Sequence, residues 1–456
     1  MAKLNRPLRF VIIKSDNAWL LLPPILYRMK IHRILQILLL SAVISSAFVC
    51  NSPQVLGTLT TPVERMRMTL STLADDAMEG RAVGSPGEAK AGALIAGKFA
   101  AMNLQPKGDS SWFQKFTFVP HAAAQVHHTG DSASLGMALV KEISGRNVLA
   151  LLDNGSANTV IIGAHYDHLG LGDENSLWTG EKAIHNGADD NASGVAALVE
   201  LAQWLSSKPI GTTGHNYLFI AFSGEEKGLW GSNFFTKNPT IDLTKVSYML
   251  NMDMVGRLNA EKALAVNGVG TSPEWMKFLP SIKVDDIKIV TSESGVGPSD
   301  HTSFYLMDIP VLHFFTGQHE DYHKPSDDTE KVNFTGLGSV VQFMQQVILK
   351  MDKIAKAEFT KTKDATPSSA DFKVTLGVVP DYLYSGTGLR IDGTKEGKPA
   401  AKAGLIKGDI VMKLGDFDIE DIYGYMEALS KFEKGQTTNC VVLRDGAQLT
   451  LKVTWE

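Results

Sequence analysis

Four near-continuous apolar runs constrain the fold of this chain most: ANTVIIGAHYD (157–167), YLFIAFSG (217–224), VSYMLNMDMVG (246–256) and IPVLHFF (309–315). They do not alternate apolar with polar, so neither face of the sheet they form is left to solvent. Between and after them lie stretches with helical spacing, SGVAALVELAQWLSS (193–207) and FTGLGSVVQFMQQVILKMDKI (334–354). Strands buried on both faces and separated by helices predict an α/β fold, a mixed, mainly parallel sheet with helices on both faces. WFQKFTFV (112–119) and GRNVLALL (145–152) read as further strands. Upstream, Pro62–Ala74 and Pro86–Met102 read as helices, the second opened by a capping box at Ser85 and Glu88.

Ligands in open α/β sheets gather beyond the carboxyl ends of the strands. Here the run 157–167 ends in His165 and Asp167, and the run 217–224 leads into Glu225 and Glu226. Asp253 closes the third run, Asp189 and Asp190 precede a helix, and Tyr322 and His323 precede the last helix. Each group alone has an ordinary explanation as a cap, a turn or a solvated helix start. Five such groups at strand ends in one domain point to a site. Packed acids resist ionisation unless a cation joins them. The only cysteines are Cys50 and Cys440, which excludes thiolate zinc sites and a disulfide scaffold. Imidazole with carboxylate suits zinc, with manganese or cobalt as substitutes. Two histidines with three or more acids suit a two-metal centre that activates water and polarises a carbonyl.

The first 50 residues differ from the rest. They carry seven Lys or Arg and one acid, Asp16. The apolar run ILQILLLSAVISSAFV is 16 residues long, short of the roughly 20 needed to span a bilayer. It follows the basic stretch Met29–Arg33, the pattern of a signal peptide. A membrane anchor and a lipoprotein cysteine at Cys50 are the alternatives, and Met29 is an alternative start. All place the chain in a secreted, periplasmic or envelope-anchored location. Acids outnumber bases, 49 to 44, which argues against a nucleic-acid partner. Membrane contact is expected only through this N-terminal segment.

The ordered set His165-x-Asp167, Ala188-Asp189-Asp190-Asn191-x-Ser193-Gly194, Ser223-Gly224-Glu225-Glu226, Asn251-x-Asp253-Met254-x-Gly256 and Tyr322-His323 closely resembles the M28 family of zinc metallopeptidases. Leu73-Ala74-x-Asp76-x-Met78-Glu79-Gly80-Arg81 and Gly84-Ser85-Pro86-Gly87 extend the resemblance upstream. The resemblance implies the zinc exopeptidase fold over 58–354 and two Zn2+ per chain. It implies Asp189 as the bridging ligand, His165 and Asp253 on one metal, and Glu226 and His323 on the other. Glu225 would be the general base, Asp167 would hold the His165 ring by its other nitrogen, and Tyr322 would hydrogen-bond the oxyanion. Asp189–Asp190 resembles the family's cis peptide, and Ser299-Asp300-His301 its pocket wall. The implied activity is that of an aminopeptidase acting on peptides with a free N-terminus by attack of a metal-bound hydroxide. A glutaminyl cyclase, a dipeptidase or carboxypeptidase, and a non-catalytic scaffold are the alternatives. The insertion Gly170–Ile184 is expected at the pocket rim, with Trp178 as a candidate lid.

Residues 355–371 read as a linker. Residues 372–456 resemble a PDZ domain, a small β-rich module, through Gly388-Leu389-Arg390-Ile391 and Pro399-Ala400-Ala401-Lys402-Ala403-Gly404-Leu405-x-x-Gly408-Asp409-Ile410-Val411. Its implied partner is a peptide added as a strand, with Tyr382–Gly388 as the carboxylate loop. Cys440 reads as a small core residue.

Overall fold

The computed structural model describes residues 11–15, 18–22, 60–118, 142–172, 175–362, 374–380, 384, 386–394, 397–420 and 422–456. The apolar run 34–49, Cys50, residues 363–371 and Tyr382 and Leu383 lie outside them. The chain divides into two units, Met1–Thr60 and Thr61–Glu456. In the first, β1 (Val11–Ser15) and β2 (Ala18–Leu22) pair antiparallel. Among the described residues no helix is long and apolar enough to cross a membrane.

The second unit opens with α1 (Pro62–Leu73), which carries a complete capping box between Thr61 and Glu64. In α2 (Pro86–Ala101) only half of the expected box forms. The Ser85 side chain accepts from the Glu88 amide, but the Glu88 carboxylate turns inward. There it accepts from the amide of Arg146 and the hydroxyls of Tyr166 and Ser223. It also accepts from the Gly84 amide at 3.3 Å, one residue before the N-cap, so the carboxylate is shared between the helix start and these distant donors.

The main sheet has nine strands: β3 (Gln105–Pro106), β4 (Phe113–Phe118), β5 (Ile143–Leu152), β6 (Thr159–His165), β7 (Asn216–Phe222), β8 (Val246–Met252), β9 (Ala263–Asn267), β10 (Lys288–Ser292) and β11 (Val311–Phe315). Their order is β10-β9-β11-β8-β6-β7-β5-β3, with β4 also on β5. The four apolar runs form the centre, β11, β8, β6 and β7, all parallel to their neighbours there. β3, β4 and β5 are antiparallel additions, as is the β9–β11 contact.

Every residue of β6 and β8 is buried. Alternate side chains feed two cores. Val160, Ile162, Phe219 and Leu250 pack under α1, α2, α3 (Gly194–Ser206) and α5 (Phe334–Met351). Ile161, Leu218, Ile220 and Met249 pack on the other face with Phe235 of α4 (Trp230–Lys237) and Phe304. The chain leaves β6 for β7 on one side and reaches β8 on the other. That reversal opens a crevice at the carboxyl end of β6, where His165 sits.

The C-terminal sheet has six strands: β12 (Val378–Pro380), β13 (Leu389–Thr394), β14 (Ile410–Leu414), β15 (Phe417–Asp418), β16 (Thr437–Arg444) and β17 (Ala447–Thr454). With α6 (Pro399–Ala403) and α7 (Ile422–Leu429) it encloses its own core of Leu376, Ile391, Val411, Cys440 and Trp455. Cys440 is a free, buried thiol there. The first part of the expected linker is not free chain: Phe359 packs on Tyr305 at 5.6 Å, and the Thr360 amide donates to the Thr271 carbonyl.

Candidate metal centre and cleft

The loops after β6, β7, β8 and β11 converge on one cavity of about 220 Å³. Asp190 lies at its floor. One carboxylate oxygen, Oδ1, is 3.3 Å from His165 Nε2, and the other, Oδ2, is 3.2 Å from His323 Nε2. His165 Nε2 also faces Asp253 Oδ1 at 3.3 Å, and His323 Nε2 faces Glu226 Oε2 at 3.2 Å. Asp190 therefore stands between two pairs, each of one imidazole and one further carboxylate.

Asp189 does not occupy that place. Its carboxylate points away from both histidines, accepting from the Gly256 amide at 2.6 Å and meeting His319 Nε2 at 3.2 Å. The reason is local. The Asp327 carboxylate accepts from the amides of both Asp189 and Asp190, and the Ser193 hydroxyl donates to the Asp189 carbonyl. These bonds fix the turn Ala188–Ser193 so that consecutive side chains project oppositely. Gly256 is needed because a Cβ there would come within 2.7 Å of Asp189 Oδ1. The cis peptide also lies one residue later than expected, at Asp190–Asn191.

His168, not anticipated as a site residue, joins the second group. Its Nδ1 is 2.7 Å from Glu226 Oε1 and 3.8 Å from Asp190 Oδ2. His165, Asp190 and Asp253 form one cluster of ligand atoms, and His168, Asp190 and Glu226 a second. The His-Tyr-Asp-His spacing at 165–168 was the available signal, since both rings follow the same strand.

Asp167 supports the site by a different route than expected. Its backbone carbonyl, not its carboxylate, lies nearer His165 Nδ1, at 3.2 Å against 3.7 Å. The carboxylate accepts from the Glu225 amide at 3.2 Å. Glu225 reaches within 4.0 Å of His165 Nε2. The His323 ring is fixed by the Asn175 carbonyl at 2.8 Å, and Tyr322 stacks on it with centroids 3.8 Å apart. Leu177 of the insertion lines the cavity. Trp178 is exposed, its indole N–H donating to the Glu181 carbonyl. Ser299 lines the cavity, while Asp300 and His301 are fully buried behind it, the His301 ring stacked on His313. Arg81, also fully buried, donates to the carbonyls of Leu73, Tyr166, Asn186 and Gly187, tying the N-terminal loop to two site loops.

Electrostatically the cluster is under tension. Burial pushes Glu225 well above the usual carboxylate range, and the charges of Asp253, Asp300 and Glu226 push it further, against His165. Burial opposes the charged forms of Glu226 and His323, but their attraction prevails, bringing Glu226 down to about 2 and His323 up to about 10. Burial and neighbouring carboxylates push Asp300 up to about 7, against the charge of His165. So many acids in one buried place fit divalent cations, and the imidazole–carboxylate set without thiolate fits zinc. Among the described residues, the buried His168 Nε2 and Asp167 Oδ2 find no hydrogen-bond partner.

Residues 147–348 match the model of peptidase family M28, and residues 358–454 match a PDZ domain. Residues 147–348, less than half of the chain, are thus similar to an M28 peptidase domain. A probable leucine aminopeptidase of Arthroderma benhamiae is 36% identical over 172 residues, 36% of this chain and 44% of that protein. Aminopeptidase YwaD of Bacillus subtilis is 27% identical over 222 residues, 46% of this chain and 45% of that protein. The chain thus spans less than half the length of these curated relatives. A solved zinc aminopeptidase from Bacillus subtilis superposes with a TM-score of 0.48 at 19% identity, covering 64% of this chain and 95% of that one. The M28 match spans β5 to α5, which carry all the residues at the cavity floor, and the PDZ match spans the C-terminal sheet.

Proposed function

We propose that this M28 domain removes N-terminal residues from unblocked peptides with two zinc ions. The observation that supports this is the Asp190 carboxylate placed between the His165–Asp253 and His323–Glu226 pairs, with Glu225 beside them. His165, Asp253 and Asp190 would hold one metal. His323, Glu226 and Asp190 would hold the other, with His168 steadying Glu226 through its 2.7 Å contact. When bound, the metals would supply an activated water and a polarised scissile carbonyl.

The protein's own residues do the rest. Glu225 takes the proton of the attacking water and delivers it to the leaving amine. Its amide is pinned by Asp167, which fixes the backbone from which the carboxylate swings. A cavity of about 220 Å³ is smaller than the roughly 300–1,000 Å³ of sites for drug-sized ligands, which suits recognition of a chain end. Tyr322, which lines the cavity and stacks on His323, would offer its hydroxyl to the tetrahedral oxyanion. The basic and apolar pattern before Cys50 supports work outside the cytoplasm.

Glu225→Gln tests the assignment. The variant should keep both metals by elemental analysis and lose roughly 10²–10⁴ in kcat. Undiminished hydrolysis of leucyl substrates would reject Glu225 as the base. Equal cleavage of acetylated and free peptides would reject the aminopeptidase reading.

A further inference from the structure

Two residues of the catalytic cavity come from outside the peptidase match. Val378 and Pro380 of β12 line it together with Leu177, Met254 and Phe315. They are separated by one residue, and side chains at i and i+2 share one face of a strand. The register supports this: Val378, Val379 and Pro380 oppose Thr394, Gly393 and Ile391, so the extra residue, Asp392, lies on β13 and leaves the alternation of β12 unbroken. β12 is the edge of its sheet. Pro380 has no N–H to offer an added strand at that position. The edge thus meets the cavity with side chains.

The lining combines the histidine–carboxylate groups of the floor, the polar side chains Asn267, Ser299 and Gln318, and the apolar set just named, to which the C-terminal domain adds two members.

We propose that Val378 and Pro380 form the wall that selects the substrate's side chain, so that the C-terminal domain sets which peptides the M28 domain cleaves. The favoured class is peptides with a large apolar first residue. This rests on the aminopeptidase reading: the chain's amino end goes to the floor that would hold the metals, and the first side chain goes against the apolar residues.

The test uses the full-length, zinc-loaded chain and the p-nitroanilides of leucine, alanine and lysine, with acetyl-leucine as the blocked control. Val378→Ala removes apolar contact and should lower the leucine-to-alanine ratio of kcat/KM by roughly tenfold, mainly through KM. Val378→Glu should move preference from leucine toward lysine by at least about tenfold. Lys452→Ala, on exposed β17, should leave the ratios at wild-type values. Should Val378→Glu fail to fold, Val378→Ala and Pro380→Ala decide. If wild type cleaves none of the free substrates, the aminopeptidase reading fails. If wild type is active and the folded Val378 and Pro380 variants keep its ratios, or Lys452→Ala shifts them equally, the wall assignment alone is overturned.

Discussion

Replacing Asp190 and Asp189 separately tests the geometry at the cavity floor most directly. Each Asp190 oxygen faces a different histidine, at 3.3 and 3.2 Å, so truncation removes one ligand from each proposed metal position. Loss of a residue that merely supports a metal ligand costs about 10–100-fold in affinity. Loss of a ligand shared by both ions should exceed 100-fold at each. Asp190→Ala, dialysed in a zinc-buffered solution and measured by elemental analysis, should therefore hold fewer than one zinc where wild type holds two. Asp189→Asn should behave oppositely. Its side chain makes one bond to the Gly256 amide and one to His319, and bonds to a charged group are worth about 1.5–3 kcal/mol. The amide oxygen retains part of this, leaving a loss of about 3 kcal/mol. At about 2.1 cal/mol/K per residue, a domain of about 300 residues then falls by roughly 5 °C in Tm, with both zincs kept. Full zinc in Asp190→Ala, or an empty site in a folded Asp189→Asn, would refute the argument.

Two further variants probe groups outside the proposed ligand set. His168→Ala removes the 2.7 Å partner of Glu226 and should weaken one of the two zincs by about 10–100-fold in chelator competition; two unchanged affinities would make His168 a packing residue. In the C-terminal domain burial raises the Asp409 carboxyl, but hydrogen bonds from the Arg444 guanidinium and the Ile406 amide hold it below the ordinary carboxylate value. A depressed folded value stabilises above the unfolded value of about 3.9, and that contribution is lost as pH falls through the folded one. Asp409→Asn should lower the Tm of this domain at pH 7 and flatten its decline below about pH 4; superimposable Tm–pH curves would remove the pair from the acid response.

The central strands were legible because β6, β7, β8 and β11 are buried on both faces, which forces continuous apolar sequence. Helix ends were less so. Ser85 to Glu88 has the composition of a full capping box, yet Glu88 is drawn to Arg146, Tyr166 and Ser223, which are distant in sequence. The choice between Asp189 and Asp190 was also illegible. Two neighbouring acids have one spacing pattern, and only the bonds from Asp327 and Gly256 decide which faces the histidines. The β12 contribution was hidden for a different reason. Val378 lies more than 50 residues beyond Tyr322, in what reads as a separate module, and nothing in local composition brings it to the cavity.

The adjacent polar pairs at the strand ends share a physical logic. Successive side chains leave a strand end or tight turn in different directions, so one can face the cavity while the other holds the backbone. Asp190 faces the histidines while Asp189 ties the turn to the loop after β8 at Gly256. His168 reaches Glu226 while Asp167 binds the Glu225 amide, so the loop after β6 holds both members of the glutamate pair. Asp327 and Arg81 complete the frame from outside, one accepting from backbone amides and the other donating to backbone carbonyls. A crowded set of acids needs such a frame, because mutual repulsion would otherwise spread the loops whenever cations are absent. The conspicuous doublets in this sequence therefore carry site and scaffold together, and the silent member of each is the one whose loss should be felt in stability before it is felt in chemistry.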